Sequence, residues 1–196
     1  MESIEHHYYT SLFDIAASLN SSANPGEVLK RVVEKMAKAL GVKGCALLLV
    51  TPDKKQLKYA TSYGLSESYI KKGPLQIDKR FEEVLKGNYV ITPDTISDSR
   101  LQYPEEAKKE GISSIISLPM KLKGKTIGAV CVYCTKPARF SDDDIYFASG
   151  VANLGAIALE NARRYERSQK DYAECLKDFM YWEYDHSPQM STNEHQ

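Results

Sequence analysis

Residues 111 to 166 constrain the fold more than any other part of the chain. They open Gly111-Ile112-Ser113-Ser114-Ile115-Ile116-Ser117-Leu118-Pro119-Met120 and continue into Ile127-Gly128-Ala129-Val130-Cys131-Val132-Tyr133. Ser113 to Leu122 and Lys125 to Cys134 read as two strands joined at Lys123-Gly124. Pro119 cannot donate to a ladder, so it marks a bulge or an edge-facing position. A helix then starts at Ser141. Ser141 can cap it, and Asp144 sits at the capping-box spacing with Asp in place of the usual Glu. Phe140 and Ile145 occupy the two positions of a hydrophobic staple. Asp142, Asp143 and Asp144 suit the positive end of the helix dipole. No helix breaker follows until Pro188.

The length of that helix is itself a constraint. From Asp142 to about Met180 it would run roughly 58 Å at about 1.5 Å per residue. A domain of about 140 residues is only roughly 37 Å across. The helix must therefore overhang or break, and an overhanging apolar stripe needs a partner. Ile145, Ala148, Ala152, Gly155, Leu159 and Ala162 follow a coiled-coil-like spacing, with small residues that allow close backbone approach. The stripe then meets Glu166 and Gln169 before resuming at Ala173 and Leu176. These six residues, with Leu12, Ile15, Ala16 and Leu19 on the first helix, form the candidate interface of a homodimer. The alternative places the whole stripe on the chain's own sheet.

Upstream, Tyr8 to Leu19 reads as helix one. Helix two has Asn24 as cap, Pro25 at the first helical position and Glu27 three after the cap. Val28, Val32, Met36 and Leu40 make its stripe, and Gly41 ends it. Gly44 to Val50 reads as a buried strand, followed by a Thr51-Pro52-Asp53-Lys54 turn. Gln56 to Tyr63 alternates, with Leu57, Tyr59, Thr61 and Tyr63 on one face. Gly64 to Gly87 is mixed and polar, with a short helix around Arg80 to Lys86, and it is followed by a short strand at Asn88 to Thr92, a loop at Pro93 to Leu101 and a short charged helix at Pro104 to Glu110.

In this order the segments closely resemble a GAF domain, a sensory module of signalling proteins. The likeness covers about residues 8 to 166. Its first half rests on the two helices, Thr61-Ser62-Tyr63-Gly64-Leu65-Ser66, Val90-Ile91-Thr92-Pro93-Asp94 and Ser97-Asp98-Ser99-Arg100. Its second half rests on the hairpin and on Ala158-Leu159-Glu160-Asn161-Ala162-Arg163-Arg164-Tyr165-Glu166. The resemblance implies an α+β fold. A PAS-like antiparallel sheet of five or six strands would carry the first two helices and the last on one face. Loops and short helices on the other face, residues 64 to 112, would roof a small-molecule pocket. It also implies dimerisation through the terminal helices and a signal passed to an output domain or a signalling partner protein. No output domain is visible in this sequence. The expected organisation is a flexible N-terminus at 1–7, the GAF domain at 8–166, a helical extension at 167–184 and a disordered tail at 185–196. The tail is preceded by the aromatic run Phe179 to Tyr184.

Composition excludes several functions. Lys plus Arg equals Asp plus Glu, at 26 each. That balance lacks the basic excess of a nucleic-acid binder or of electrostatic docking on anionic membrane. The apolar runs are too short to span a bilayer, and the N-terminus carries no secretion signal. A cytoplasmic protein with reduced thiols is expected. Cys131 and Cys134 form a Cys-x-x-Cys, but residues three apart in a strand point to opposite faces, so they read as core and not as a zinc site. No His lies between His7 and His186, and no Cys between Cys45 and Cys131. Haem ligation, bilin attachment through a loop cysteine and sulfoxide reduction by loop cysteines are therefore poor matches. A non-enzyme is expected, and the cofactor, if there is one, stays unidentified.

The candidate pocket comprises Tyr63, Leu65, Tyr69, Ile70, Phe81, Ile91 and Tyr103 as apolar or amphipathic lining. Asp94, Asp98 and Arg100 are its polar cluster. Arg100 could grip an anion in bidentate fashion, or Asp98 and Arg100 could simply hold the loop. Ser113 and Ser114 could offer hydroxyls to a ligand, or cap local backbone. Lys71, Lys72, Lys79 and Arg80 read as a solvated face.

Overall fold

The computed structural model describes residues 4–19, 25–137 and 140–186. Its strands are β1 (Gly44–Val50), β2 (Gln56–Tyr63), β3 (Leu75–Gln76), β4 (Val90–Thr92), β5 (Ser114–Leu122) and β6 (Lys125–Cys134). They form one antiparallel sheet in the order β3-β2-β1-β6-β5-β4. Helices α1 (Ile4–Ser18), α2 (Pro25–Ala39) and α6 (Asp142–His186) pack on one face. The short helices α3 (Glu67–Ile70), α4 (Lys79–Leu85) and α5 (Pro104–Glu110) cover the other. The fold is α+β, as expected.

Strand alternation divides the core in two. On the helical face, Leu47, Leu118, Val130 and Val132 meet Val32, Met36, Val151 and Ala152. On the roofed face, Leu48, Ile115, Cys131 and Tyr133 meet Tyr69, Phe81 and Val84. The β5–β6 hairpin turns at Lys123 and Gly124, both at positive φ (49° and 77°). That geometry matches the twist of the flanking strands in a two-residue turn. Pro119 lies past the end of the β4 pairing at Ser117, one residue before a register shift at Met120/Lys121. Both expectations for a strand proline meet there.

The start of α6 is built as its sequence requires. Asp144 N donates to Ser141 Oγ at 3.2 Å, and Ser141 N donates to Asp144 Oδ2 at 2.8 Å. Phe140 and Ile145 both pack against the helical-face core. Tyr8 OH donates to Asp144 Oδ1, and its ring stacks on Phe147 at 4.5 Å, which ties α1 to α6. At 45 residues α6 is about 67 Å long. Every side chain from Arg163 to Lys177 is exposed, so the helix overhangs its domain.

The small-residue stripe of α6 has a different role from the one expected of it. Ala148, Ala152, Gly155, Leu159 and Ala162 are buried within the protomer, and Ile145 is half-buried there. A Cβ on Gly155 would come within 3.4 Å of Leu47, so small residues let the helix lie close on its own sheet. Ile15 is likewise fully buried in this core, while Leu12, Ala16 and Leu19 are half-buried.

Several expectations shift by a few residues or fall outside the described part. Asn24 lies outside the described residues. Helix α1 begins four residues earlier than read, at Ile4. The backbone stays helical through the aromatic run to His186, and residues 187–196 are outside the described part. Among the described residues, no helix is long and apolar enough to cross a membrane.

Candidate ligand-binding site

A cavity of about 20 Å³ lies between the sheet and the α3–α5 roof. This is room for about one water molecule. Its floor is Tyr59 of β2, Ile115 of β5 and Cys131 and Tyr133 of β6. Its roof brings Tyr69, Lys72, Arg80 and Phe81, and the loop before α5 adds Gln102 and Tyr103.

Local capping fixes the roof. Ser66 Oγ accepts from Tyr69 N at 3.2 Å and donates to Glu110, which joins the start of α3 to the end of α5. Glu110 is also paired with Lys43 at 3.3 Å. Asp78 caps α4 by accepting from Phe81 N at 3.0 Å. Gln102 accepts from Gln76 N at 2.8 Å and donates to Gln76 O and Asp78 Oδ2, each at 2.7 Å, so it laces the loop to β3. Tyr103 OH donates to Pro74 O at 2.9 Å. Gly73 makes room for that ring. At φ 138° a Cβ there would stand 2.6 Å from the Tyr103 hydroxyl.

Two cations reach into this apolar setting. Lys72 Nζ donates to Tyr59 OH at 2.6 Å and to Tyr69 O at 2.9 Å. It also sits 3.6 Å from the centroid of the Tyr69 ring, 4.8 Å from that of Tyr59 and 5.8 Å from that of Tyr103. Burial, the largest influence, pulls its pKa down to about 8. Arg80 is only 4% exposed, and its guanidinium stacks over Phe81 at 4.2 Å. Its buried Nε has no hydrogen-bond partner. Burial also pushes the phenols of Tyr59, Tyr69 and Tyr133 and the Cys131 thiol upward, so all remain protonated at neutral pH. The site therefore offers hydrogen-bond donors and positive charge in a low-dielectric box.

The GAF domain profile matches residues 24–159. The chain belongs to the GAF domain family. No curated protein matches it in sequence. Among solved structures it resembles the GAF domain of a phosphoenolpyruvate-protein phosphotransferase from Coxiella burnetii. That likeness has 17% identity and a TM-score of 0.73, covering 84% of this chain and 99% of that one. It also resembles a free methionine-R-sulfoxide reductase from Neisseria meningitidis, at 17% identity and TM-score 0.67, over 84% and 95% of the two chains. A phycoerythrobilin-bound GAF domain from a cyanobacterial phytochrome matches at 13% identity and TM-score 0.62, over 81% and 97%. At such identities these likenesses establish the fold.

Of the residues expected to line the GAF pocket, Tyr69, Phe81 and Tyr103 do so. Tyr63 does not: it packs on the opposite face, beneath Lys38. The cause is a β-bulge. Leu47 pairs with Thr61 and Leu48 with Tyr59, so Ala60 is skipped and the alternation read for β2 breaks there. Leu57 and Tyr59 face the roof, and Tyr63 faces the helices. Ile91 also packs on the helical side, while Leu65 packs on the roofed side and Ile70 is half-buried, neither of them at the cavity.

The polar cluster lies away from the cavity. Arg100 Nε and Nη2 donate to Asp98 Oδ1 and Oδ2 at 2.8 and 2.6 Å, and Asp94 accepts from Ile96 N and Ser97 Oγ. These are contacts that shape a loop. Ser113 Oγ donates to Thr135 O and Ser114 Oγ to Lys136 O, each at 2.9 Å, holding the chain after β6. The solvated face expected of Lys71, Lys72, Lys79 and Arg80 is only half present. Lys71 and Lys79 are exposed, but Lys72 and Arg80 turn inward. Sequence reasoning missed them, together with Tyr59 and Tyr133. The spacing Arg80, Phe81, Val84 on one side of α4 was the signal available.

Proposed function

We propose that this GAF domain is a sensory module that binds a small molecule beneath the α3–α5 roof and signals through its terminal helices. The observation that carries this is the alternation in β6. Cys131 and Tyr133 form the cavity floor, while Val130 and Val132, on the other face of the same strand, belong to the core built on α2 and α6. A ligand larger than one water must lift the roof or press the floor, and the floor is continuous with the seat of α6.

The output surface is the overhang of α6 with the outer face of α1. Tyr165, Tyr172 and Leu176 are exposed at helical spacing beyond the domain. Tyr9 and Tyr146, 72% and 85% exposed, line a groove with Leu12 and Gly150, and Phe13 of α1 is 74% exposed. A second copy is the natural occupant of an overhanging seam, since parallel helices meet like with like. The signal then passes to a partner protein or an attached output domain. The roof carries no Cys or His, so attachment of a bilin and sulfoxide reduction by loop cysteines fit poorly, which supports a non-enzymatic role.

A thermal-shift screen against a metabolite panel tests this. Ligand at a hundredfold excess over Kd should stabilise the fold by about 2.7 kcal/mol. The gain should vanish in Ile115→Trp, which fills the cavity. If no compound moves the melting temperature, the ligand half fails. One observation favours a second reading, a docking module with a collapsed pocket: the cavity as it stands admits only one water.

A further inference from the structure

We infer that the cavity is a receptor site for a small planar oxyanion, a carboxylate group or its inorganic equivalent, anchored by Arg80 with Lys72 as the second cation. This rests on the sensory reading and names the ligand class of that same site.

Charge is unbalanced at this spot. A buried guanidinium normally meets a carboxylate, because an uncompensated buried charge is costly. Arg80 is almost wholly buried, and its Nε has no hydrogen-bond partner. Its stack on Phe81 fixes the plane of the fork but occupies no N–H. Lys72, beside it in the same cavity, donates only to uncharged acceptors. Two of the nearby carboxylates are committed elsewhere, and Glu106, which acts on Lys72 through space, is not in the cavity lining. Asp78 holds the start of α4 and Gln102, and Glu110 holds Ser66 and Lys43.

Everything else polar in the lining can donate. The hydroxyls of Tyr59, Tyr69 and Tyr133 stay protonated, as does the Cys131 thiol. A site with two cations, several donors and no acid is complementary to an anion. The fork of an arginine matches a planar oxyanion through parallel N–H bonds. A trapped water could take one N–H of Arg80, but it would leave the charge of both cations unmet. Because the cavity as it stands holds about one water, a formate- or nitrate-sized ion, or the carboxylate end of a larger molecule, enters by raising the roof.

Isothermal titration calorimetry on the full chain tests this, with sodium formate, acetate, nitrate and phosphate as probes. Chloride at matched ionic strength serves as control, and acetamide is the neutral counterpart of acetate. At least one oxyanion should bind saturably while acetamide does not. Binding by acetate or formate alone would identify a carboxylate group as the ligand. Binding by nitrate alone would identify a free inorganic ion, and binding by tetrahedral phosphate alone would overturn the planar assignment. Lys72→Met should weaken that binding about 10- to 100-fold, the worth of one charge-assisted hydrogen bond. Arg80→Gln should abolish it, with circular dichroism confirming that the variant folds. Equal binding of acetamide, or no oxyanion binding to the unaltered protein, overturns the assignment. The wild-type titrations decide this even if a variant fails to fold. A neutral metabolite that raises the melting temperature in the same cavity would keep the sensory reading while the anion assignment fell.

Discussion

Replacing Arg80 by methionine should make the unliganded protein more stable, against the usual outcome of a core substitution. Arg80 is 4% exposed and its Nε has no partner. Leaving a buried donor unsatisfied costs about 1–3 kcal/mol, more when it is charged. Methionine retains the apolar stem and removes that cost. What is lost is the stack of the guanidinium over Phe81 at 4.2 Å, worth about 0.5–2 kcal/mol. A sulfur–aromatic contact recovers about 0.3–1.5 kcal/mol of it. The balance is a gain of about 1 kcal/mol, or about 2–4 °C in melting temperature for a chain of this size. Urea unfolding followed by circular dichroism, in buffer free of small carboxylates, measures it. The midpoint should rise with an unchanged slope. A loss of more than about 1 kcal/mol in that buffer would refute the reasoning, because it would mean that protein groups already satisfy the guanidinium.

Three other outcomes follow from the same structure. The folded pKa of Lys72, about 8, lies below the usual lysine value near 10.4. Between these values the unfolded chain binds more protons, so Lys72 makes stability rise with pH. The buried Cys45, Cys131 and Cys134, with raised pKa values, pull the other way above about pH 8.5. The test is therefore the difference between wild type and Lys72→Met from pH 8 to 10. Wild type should gain of the order of 1 kcal/mol relative to the variant after allowance for solvent screening, and a flat difference contradicts it. Gly73→Ala forces a side chain onto a positive-φ residue and against Tyr103. It should cost about 1–3 kcal/mol, read by thermal melting, and an unchanged melting temperature would mean that the roof is loose. Tyr172→Lys with Leu176→Lys should weaken self-association without changing the melting behaviour of the domain. Sedimentation velocity across a concentration series checks this, and an unaltered dimer would move the interface off the overhang.

The parts of the fold that were legible in the sequence are those set by local chemistry. The Ser141–Asp144 box, the Lys123-Gly124 turn and the position of Pro119 each follow from a few neighbouring residues. The overhang of α6 followed from length alone. The cavity was read less well, for three physical reasons. A bulge at Ala60 reverses the alternation of β2, and nothing in Lys58-Tyr59-Ala60-Thr61 announces it. Adjacent basic residues look like solvated pairs, yet the turn after α3 and the start of α4 send Lys71 and Lys79 outward and Lys72 and Arg80 inward. Asp98 and Arg100, two apart in a loop, were close enough to satisfy each other, and they do. The stripe of α6 misled because a surface that admits close approach is the same whether the partner is a second helix or the chain's own sheet.

Native mass spectrometry of the purified protein, before and after denaturation, tests the central claim most directly. The account predicts a dimer carrying one small anionic molecule per protomer, released on unfolding and absent from Arg80→Gln. A monomer with nothing bound, at concentrations where a sensory dimer should persist, would contradict it.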